Sequence, residues 1–155
     1  MNNLDKYMNQ NQNNPEYLFH GSPLLLEKLE PRESHDSDEN IENIDKAVFV
    51  TSSFITASAY AFKDTIKKLS DRLHWNFIVS QAGTMPIMEM ANVITNDAIE
   101  GYIYVFKNNN LFKNDPPGSN QYKYYSELIP IDVIKIKYKD YKNYYKINNS
   151  KKISK

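Results

Sequence analysis

Residues 47–73 read AVFVTSSFITASAYAFKDTIKKLSDRL, and a change of period inside this stretch decides the fold. Ala47 to Val50 is an unbroken apolar run, the pattern of a buried strand. Thr51, Ser52 and Ser53 follow with hydroxyls suited to capping a helix amino terminus. From Ile55 the period lengthens. Ile55, Ala59, Phe62, Ile66, Leu69 and Leu73 recur every three or four residues, drawing one apolar stripe along about five helical turns. Lys63, Lys67, Lys68 and Asp71 fall off the stripe toward solvent.

Toward the amino terminus, Tyr17-Leu18-Phe19 predicts a short strand that runs into a turn at His20-Gly21-Ser22-Pro23. The first fifteen residues, MNNLDKYMNQNQNNP, carry too little apolar surface to offset their ordering entropy. They predict a flexible Asn-rich arm, residues 1–15, or a lightly docked segment. After the turn comes the weakly amphipathic LLLEKLE and then an acidic loop. Toward the carboxyl terminus, WNFIVSQ, MPIMEMANVI and GYIYVFK each predict a strand. Gly101 to Phe106 is apolar at both parities, as in a central strand covered on both faces. NNNLFKNDPPGSNQ predicts a loop. Ile134, Ile136 and Tyr138 alternate with Lys135, Lys137 and Lys139, the pattern of a strand with one wet face or of a lysine-protected sheet edge. The expected organisation is a single α+β domain over residues 16–145, followed by a lysine-rich tail at 146–155.

The chain has 155 residues, 41% of them hydrophobic and 13% aromatic, which suits one compact core. It has no cysteine, which excludes disulfides, a thiolate nucleophile and cysteine-ligated zinc. The formal net charge is zero, so no global basic field attracts nucleic acid or an anionic membrane. That total hides two poles. Leu26 to Lys46 holds eight acids and three bases, whereas Lys135 to Lys155 holds eight lysines and one acid, Asp140. The basic end would draw an RNA, DNA or acidic protein partner, or be merely solvated. No apolar stretch is long enough to span a bilayer, and the amino terminus lacks a secretion-signal pattern. A cytoplasmic location is expected.

Few chemistries remain. There is no GxSxG elbow, and four glycines (Gly21, Gly83, Gly101, Gly118) cannot form a phosphate loop or a dinucleotide fingerprint. His20, His35 and His74 have no metal-ligand spacing. His20, at the end of an apolar strand and next to Gly21, would present its imidazole at a rim where a ligand can approach the backbone. The plainer alternative is a histidine that only bonds a neighbouring loop. His35 and His74 read as surface or packing residues.

Taken together, FHGSP, VFVTSS, the helix bearing Ala57 and Tyr60, and Glu127 in KYYSELIP resemble the ADP-ribosyltransferase superfamily. The likeness is closest to its His-Tyr-Glu branch, which includes diphtheria-toxin-like and poly-ADP-ribose-polymerase-like enzymes and the small bacterial rifampicin ADP-ribosyltransferases. It spans roughly Tyr17 to Tyr141, with about a dozen specific residues. The fold it implies is a split β-sheet with one long helix after the second strand. It implies NAD as substrate and no metal. His20 would bond a hydroxyl of the nicotinamide-side ribose, and the Gly21 backbone would hold the carboxamide. Ser22 stands where the family has Thr or Ser. Phe49 and Tyr60, eleven residues apart, would bracket the nicotinamide ring, although the family often has Tyr at the first of these positions. Thr51, Ser52 and Ser53 would close the supporting strand. Glu127 would be the catalytic carboxylate at the start of the last major strand, with His20 and Tyr60 as its partners. Tyr125 departs from toxin branches that carry Gln or Glu two residues before that acid, which argues against arginine-directed activity.

The residue types suit the chemistry. Cleaving a ribose–nicotinamide bond passes through an oxocarbenium-like transition state that a fixed carboxylate stabilises, and aromatic faces hold the flat ring. Tyr60 is expected at the edge of the helix's buried face; as one of twelve tyrosines it also suits simple boundary packing, and Glu127 suits an exposed strand-start acid. The expected activity is mono-ADP-ribosyl transfer to a small molecule, nucleic acid or protein, in a bacterial or phage setting of resistance, defence or toxicity, where a cognate antitoxin or immunity protein would be a partner. The alternatives are an inactive module of the same fold that binds NAD, ADP-ribose or a protein, and, third, RNA 2′-phosphotransferase chemistry.

Overall fold

The computed structural model describes residues 3–33, 46–69, 76–78, 86–90 and 98–149. His35, His74 and the carboxyl end of the predicted helix stripe, Leu73, lie outside them. The main sheet is antiparallel. Its central strands are β1 (Tyr17–Ser22), β3 (Lys46–Thr51) and β6 (Glu100–Lys107), flanked by β7 (Lys113–Asn114), β8 (Gln121–Tyr124) and β9 (Asp132–Lys137) in the order β7-β8-β3-β1-β6-β9. A two-residue strand, β2 (Arg32–Glu33), pairs with the start of β3. A second sheet joins β4 (Asn76–Ile78), β5 (Ile87–Met90) and β10 (Lys146–Asn149), with β10 parallel to β5. Helices α1 (Asn3–Met8), α2 (Phe54–Leu69) and α3 (Tyr138–Tyr141) complete the α+β architecture.

The sheet's two faces bury two cores, because alternate side chains of a strand point to opposite sides. Phe19 of β1 and Ile103 and Val105 of β6 face α2. Leu18, Val48, Val50, Tyr104 and Phe106 face the other way, where Leu29, Phe112 and Leu128 cover them. The predicted helix forms with the predicted stripe. Ala59, Phe62 and Ile66 are fully buried, and the Phe62 ring packs edge-on against Tyr138. Ser53 caps it, its Oγ accepting from the Thr56 N–H at 3.1 Å. β6 lies between β1 and β9, and β9, with its exposed lysines, is at one edge.

Two segments differ from expectation, and a third takes the docked one of its two expected forms. The His20-Gly21-Ser22 turn is part of β1, paired through Ser22 with Tyr102. A Cβ on Gly21 would lie 1.9 Å from the Ala57 carbonyl oxygen and one on Gly101 2.9 Å from the Ala61 Cβ, so both glycines let α2 lie directly on the sheet. The Asn-rich arm is docked. Tyr7 is buried among Tyr17, Phe19 and Phe54, and Gln10 Nε2 donates to the carbonyls of Tyr17 and Ser52 at 2.9 Å. The lysine-rich end carries structure as far as Asn149, because Tyr138, Tyr141 and Tyr145 anchor it in the core.

Candidate functional site

β1 and β6 stay paired over six residues, whereas β1 and β3 share one registered pair, Phe19 with Thr51. Beyond that pair the ladder gives way to a side chain. His20 Nδ1 lies 2.8 Å from the Phe49 carbonyl oxygen. A carbonyl only accepts, so Nδ1 carries a proton. The His20 ring lies 6.4 Å from that of Tyr104, whose hydroxyl accepts from the Leu26 N–H and donates to the Leu24 carbonyl, each at 2.5 Å. Burial pushes the Tyr104 phenol's pKa up, which keeps it a donor. The segment after β1 is thereby pinned over the face away from α2.

Phe49 and Tyr60 share the helix side of the sheet. Phe49 has the parity of Thr51, whose partner Phe19 packs under α2, and Tyr60 is 39% exposed on α2 itself. Gly21 lies beneath the same helix between Ala57 and Ala61. Gly21, Phe49 and Tyr60 thus lie on the helix side near the point where β1 and β3 part, whereas the His20 ring, with the parity of Leu18 and beside Tyr104, lies on the opposite face of the sheet. Each of the two aromatic rings has an ammonium 5.6 Å from its centroid, Lys123 at Phe49 and Lys63 at Tyr60.

The hydroxyl residues have structural partners. Ser22 Oγ accepts from the Leu24 N–H at 3.1 Å, and Thr51 Oγ1 accepts from the Ser53 N–H at 3.1 Å. Ser52 Oγ donates to Gln12 Oε1 at 2.7 Å, while its N–H bonds the Asn120 carbonyl. These bonds build the turn from β3 into α2.

Glu127 stands apart from the expected strand start. β9 begins at Asp132, and Glu127 lies in the irregular link from β8, beside an isolated bridge between Leu29 and Leu128. Leu128 belongs to the core on the face away from α2, so this link runs on the face that carries the His20 ring and Tyr104, opposite Phe49 and Tyr60. The Glu127 carboxylate pairs with Lys28 Nζ at 3.0 Å with both side chains about half exposed, and this bond raises the Lys28 pKa. Tyr125, next to it, is exposed.

Two residues on the helix side were not foreseen. β8 places Gln121 beside Thr51 and Lys123 beside Phe49. Lys123 is largely buried and pairs with Asp115 at 2.9 Å. The only sequence signal was the alternation of Gln121 and Lys123 with Tyr122 and Tyr124, interrupted by Tyr125. Among the described residues, no group of three or more His, Cys, Asp or Glu could hold a metal ion, and no helix is long and apolar enough to cross a membrane. No protein-family model matches the chain, and comparison with curated proteins and with solved structures gave no match.

Proposed function

We propose that the chain is a mono-ADP-ribosyltransferase that uses NAD and releases nicotinamide. The observation that carries this reading is the parting of β1 from β3, where the His20 imidazole meets the Phe49 carbonyl next to the close-packed Gly21 backbone. The resemblance implies a split sheet with one long helix after the second strand; here α2 follows β3, with the two-residue β2 before it. In the proposed reaction the bond between ribose C1′ and the nicotinamide nitrogen breaks, and its electron pair leaves with the neutralised ring. The acceptor's nucleophile bonds C1′, and its proton passes to a carboxylate, the role proposed for Glu127. His20, with its proton on Nδ1, would receive a ribose hydroxyl at Nε2. Most of the rate would come from positioning and from charge stabilisation.

The placement of Glu127 favours a second reading. A carboxylate neutralised by Lys28, on a link that runs on the face opposite Phe49 and Tyr60, suits a module that binds NAD or ADP-ribose without turnover. One experiment separates the two. The protein is incubated with NAD alone and with small-molecule, RNA and protein acceptors, and free nicotinamide is measured beside the NAD-induced shift in Tm. Transferase activity requires nicotinamide release that Glu127→Ala abolishes. A thermal shift without release supports the binding module, and release that survives Glu127→Ala removes that residue from the reaction. Neither release nor shift at millimolar NAD overturns both readings.

A further inference from the structure

We propose that the outer edge of β9 is a docking site for an extended acidic segment of a partner protein, which adds to the sheet beside β9. This inference is independent of the NAD reading and rests on an unused edge, a groove and a charge pattern.

β9 ends the strand order, and among the described residues its ladder is with β6 alone. The Tyr138 N–H donates to the Ile99 carbonyl, one step beyond the Glu100–Lys137 pair. Because bonded and non-bonded pairs alternate in an antiparallel ladder, the peptide groups of Val133, Lys135 and Lys137 point away from β6. The first of these N–H groups is capped: Val133 donates to Asp132 Oδ1 at 2.9 Å, while Asp132 Oδ2 accepts from the Tyr7 hydroxyl. Among the described residues, Lys135 and Lys137 have no such cap. Their edge opens on a groove of about 400 Å³ between α1, β9 and α3.

The two sides of that groove differ. Leu4, Met8, Ile136 and Tyr141 line it with apolar surface, and all four belong to the helix-side core or pack against it. The side chains of Lys135 and Lys137 have the opposite parity, and Lys139 lies in α3, two residues beyond the strand. Lys135 pairs with Glu100 at 3.3 Å, which also stands cross-strand from Lys137, so three lysines of this edge face two acids, Glu100 and Asp140. A strand laid along this edge would meet apolar groups on one face and ammonium groups on the other. The segment that complements both alternates apolar with acidic residues, since cross-strand neighbours of opposite charge attract. A second copy of β9 would set lysine against lysine, so the same charges that admit an acidic strand disfavour edge-to-edge self-pairing.

The test is fluorescence anisotropy with the full chain and a labelled peptide of about nine residues that alternates Val with Glu. Three further probes are used: the same peptide with Lys for Glu, the Val-Glu peptide N-methylated at alternate peptide bonds, and phosphatidylcholine vesicles with phosphatidylserine. Binding of the Val-Glu peptide is expected, at least about tenfold weaker once salt shortens the Debye length to about 3 Å, and lost in Lys137→Glu/Lys139→Glu. Lys113→Glu, on another strand, should bind as the unmodified protein does. The Lys peptide and the N-methylated peptide should not bind, because one repels the edge and the other cannot form the ladder. Equal binding of the N-methylated peptide, binding unchanged by the double charge swap, or vesicle binding without peptide binding would each overturn the proposal. The charge swaps are at exposed positions, and an unchanged far-UV circular dichroism spectrum confirms that they fold.

Discussion

Replacing Gly21 with alanine tests both the packing and the meaning of the HGS motif. The added Cβ would lie 1.9 Å from the Ala57 carbonyl oxygen and 2.7 Å from the Ala61 nitrogen. Both are backbone atoms of α2, so no rotamer change relieves the contact, and the helix must lift off the sheet over β1 and β6. Overpacking of this kind costs about 3 kcal/mol, the upper part of its usual range. At roughly 2–4 °C of Tm per kcal/mol for a chain of this size, the expected loss is about 6–12 °C. Gly101→Ala meets the Ala61 Cβ at 2.9 Å and the Ala61 oxygen at 3.0 Å, a smaller overlap and partly with a side chain, for which about 1 kcal/mol is expected. Double-mutant cycles separate the two contacts. Ala61→Gly should couple favourably with Gly101→Ala, because it removes the opposing methyl. Ala57→Gly should show no coupling with Gly21→Ala, because the opposing atom is backbone. Urea and thermal unfolding followed by circular dichroism give all the terms. A Gly21→Ala protein within about 1 °C of the parent, or one rescued by Ala57→Gly, would refute the proposed close approach.

The remaining predictions concern charge and burial. Burial and the hydrogen bond to Asp132 push the Tyr7 phenol up to about 12, and burial does the same for Tyr141. A phenol with a raised folded-state pKa stabilises fully below its unfolded value near 10, and that stability is lost as pH rises toward 12. The urea midpoint should therefore fall between pH 10 and 12, and less steeply in Tyr7→Phe. Tyr145→Phe removes a buried hydrogen bond to Ser58 Oγ of 2.5 Å, with an expected cost of about 1 kcal/mol by chemical denaturation; no measurable loss would show that the bond is replaced. Glu127→Gln breaks a half-exposed ion pair that solvent screens, so Tm should barely change. Any loss of nicotinamide release in that variant would then report on chemistry rather than folding.

What the sequence made legible was local and periodic. The stripe from Ile55 to Ile66 and the Thr51-Ser52-Ser53 cap are written in neighbouring residues, and α2 follows them. So is the alternation of Ile and Lys in β9, and the two-sided apolar run of β6. The misses share one cause, a partner far along the chain. Gly21 carries the signal of a turn when read among its neighbours, and only Ala57 and Ala61, on a helix more than thirty residues later, make it the interior of a strand. Gln10 and Gln12 have the composition of a disordered arm, yet they satisfy the carbonyl of Ser52 some forty residues away. Such bonds leave no trace in hydropathy.

The resemblance alone placed Glu127 at the start of the last major strand. Pro130 is the local signal against it, since a proline lacks the N–H that a ladder needs, and β9 starts two residues beyond it at Asp132. The consequence reaches the chemistry. A strand start would have held the carboxylate by its backbone ladder, whereas a link holds it by the Lys28 pair. The enzyme reading therefore requires Glu127 to leave Lys28 when NAD binds, so neutralising that lysine should raise the rate of nicotinamide release. If Lys28→Ala instead lowers release without lowering Tm, the ion pair itself serves the reaction.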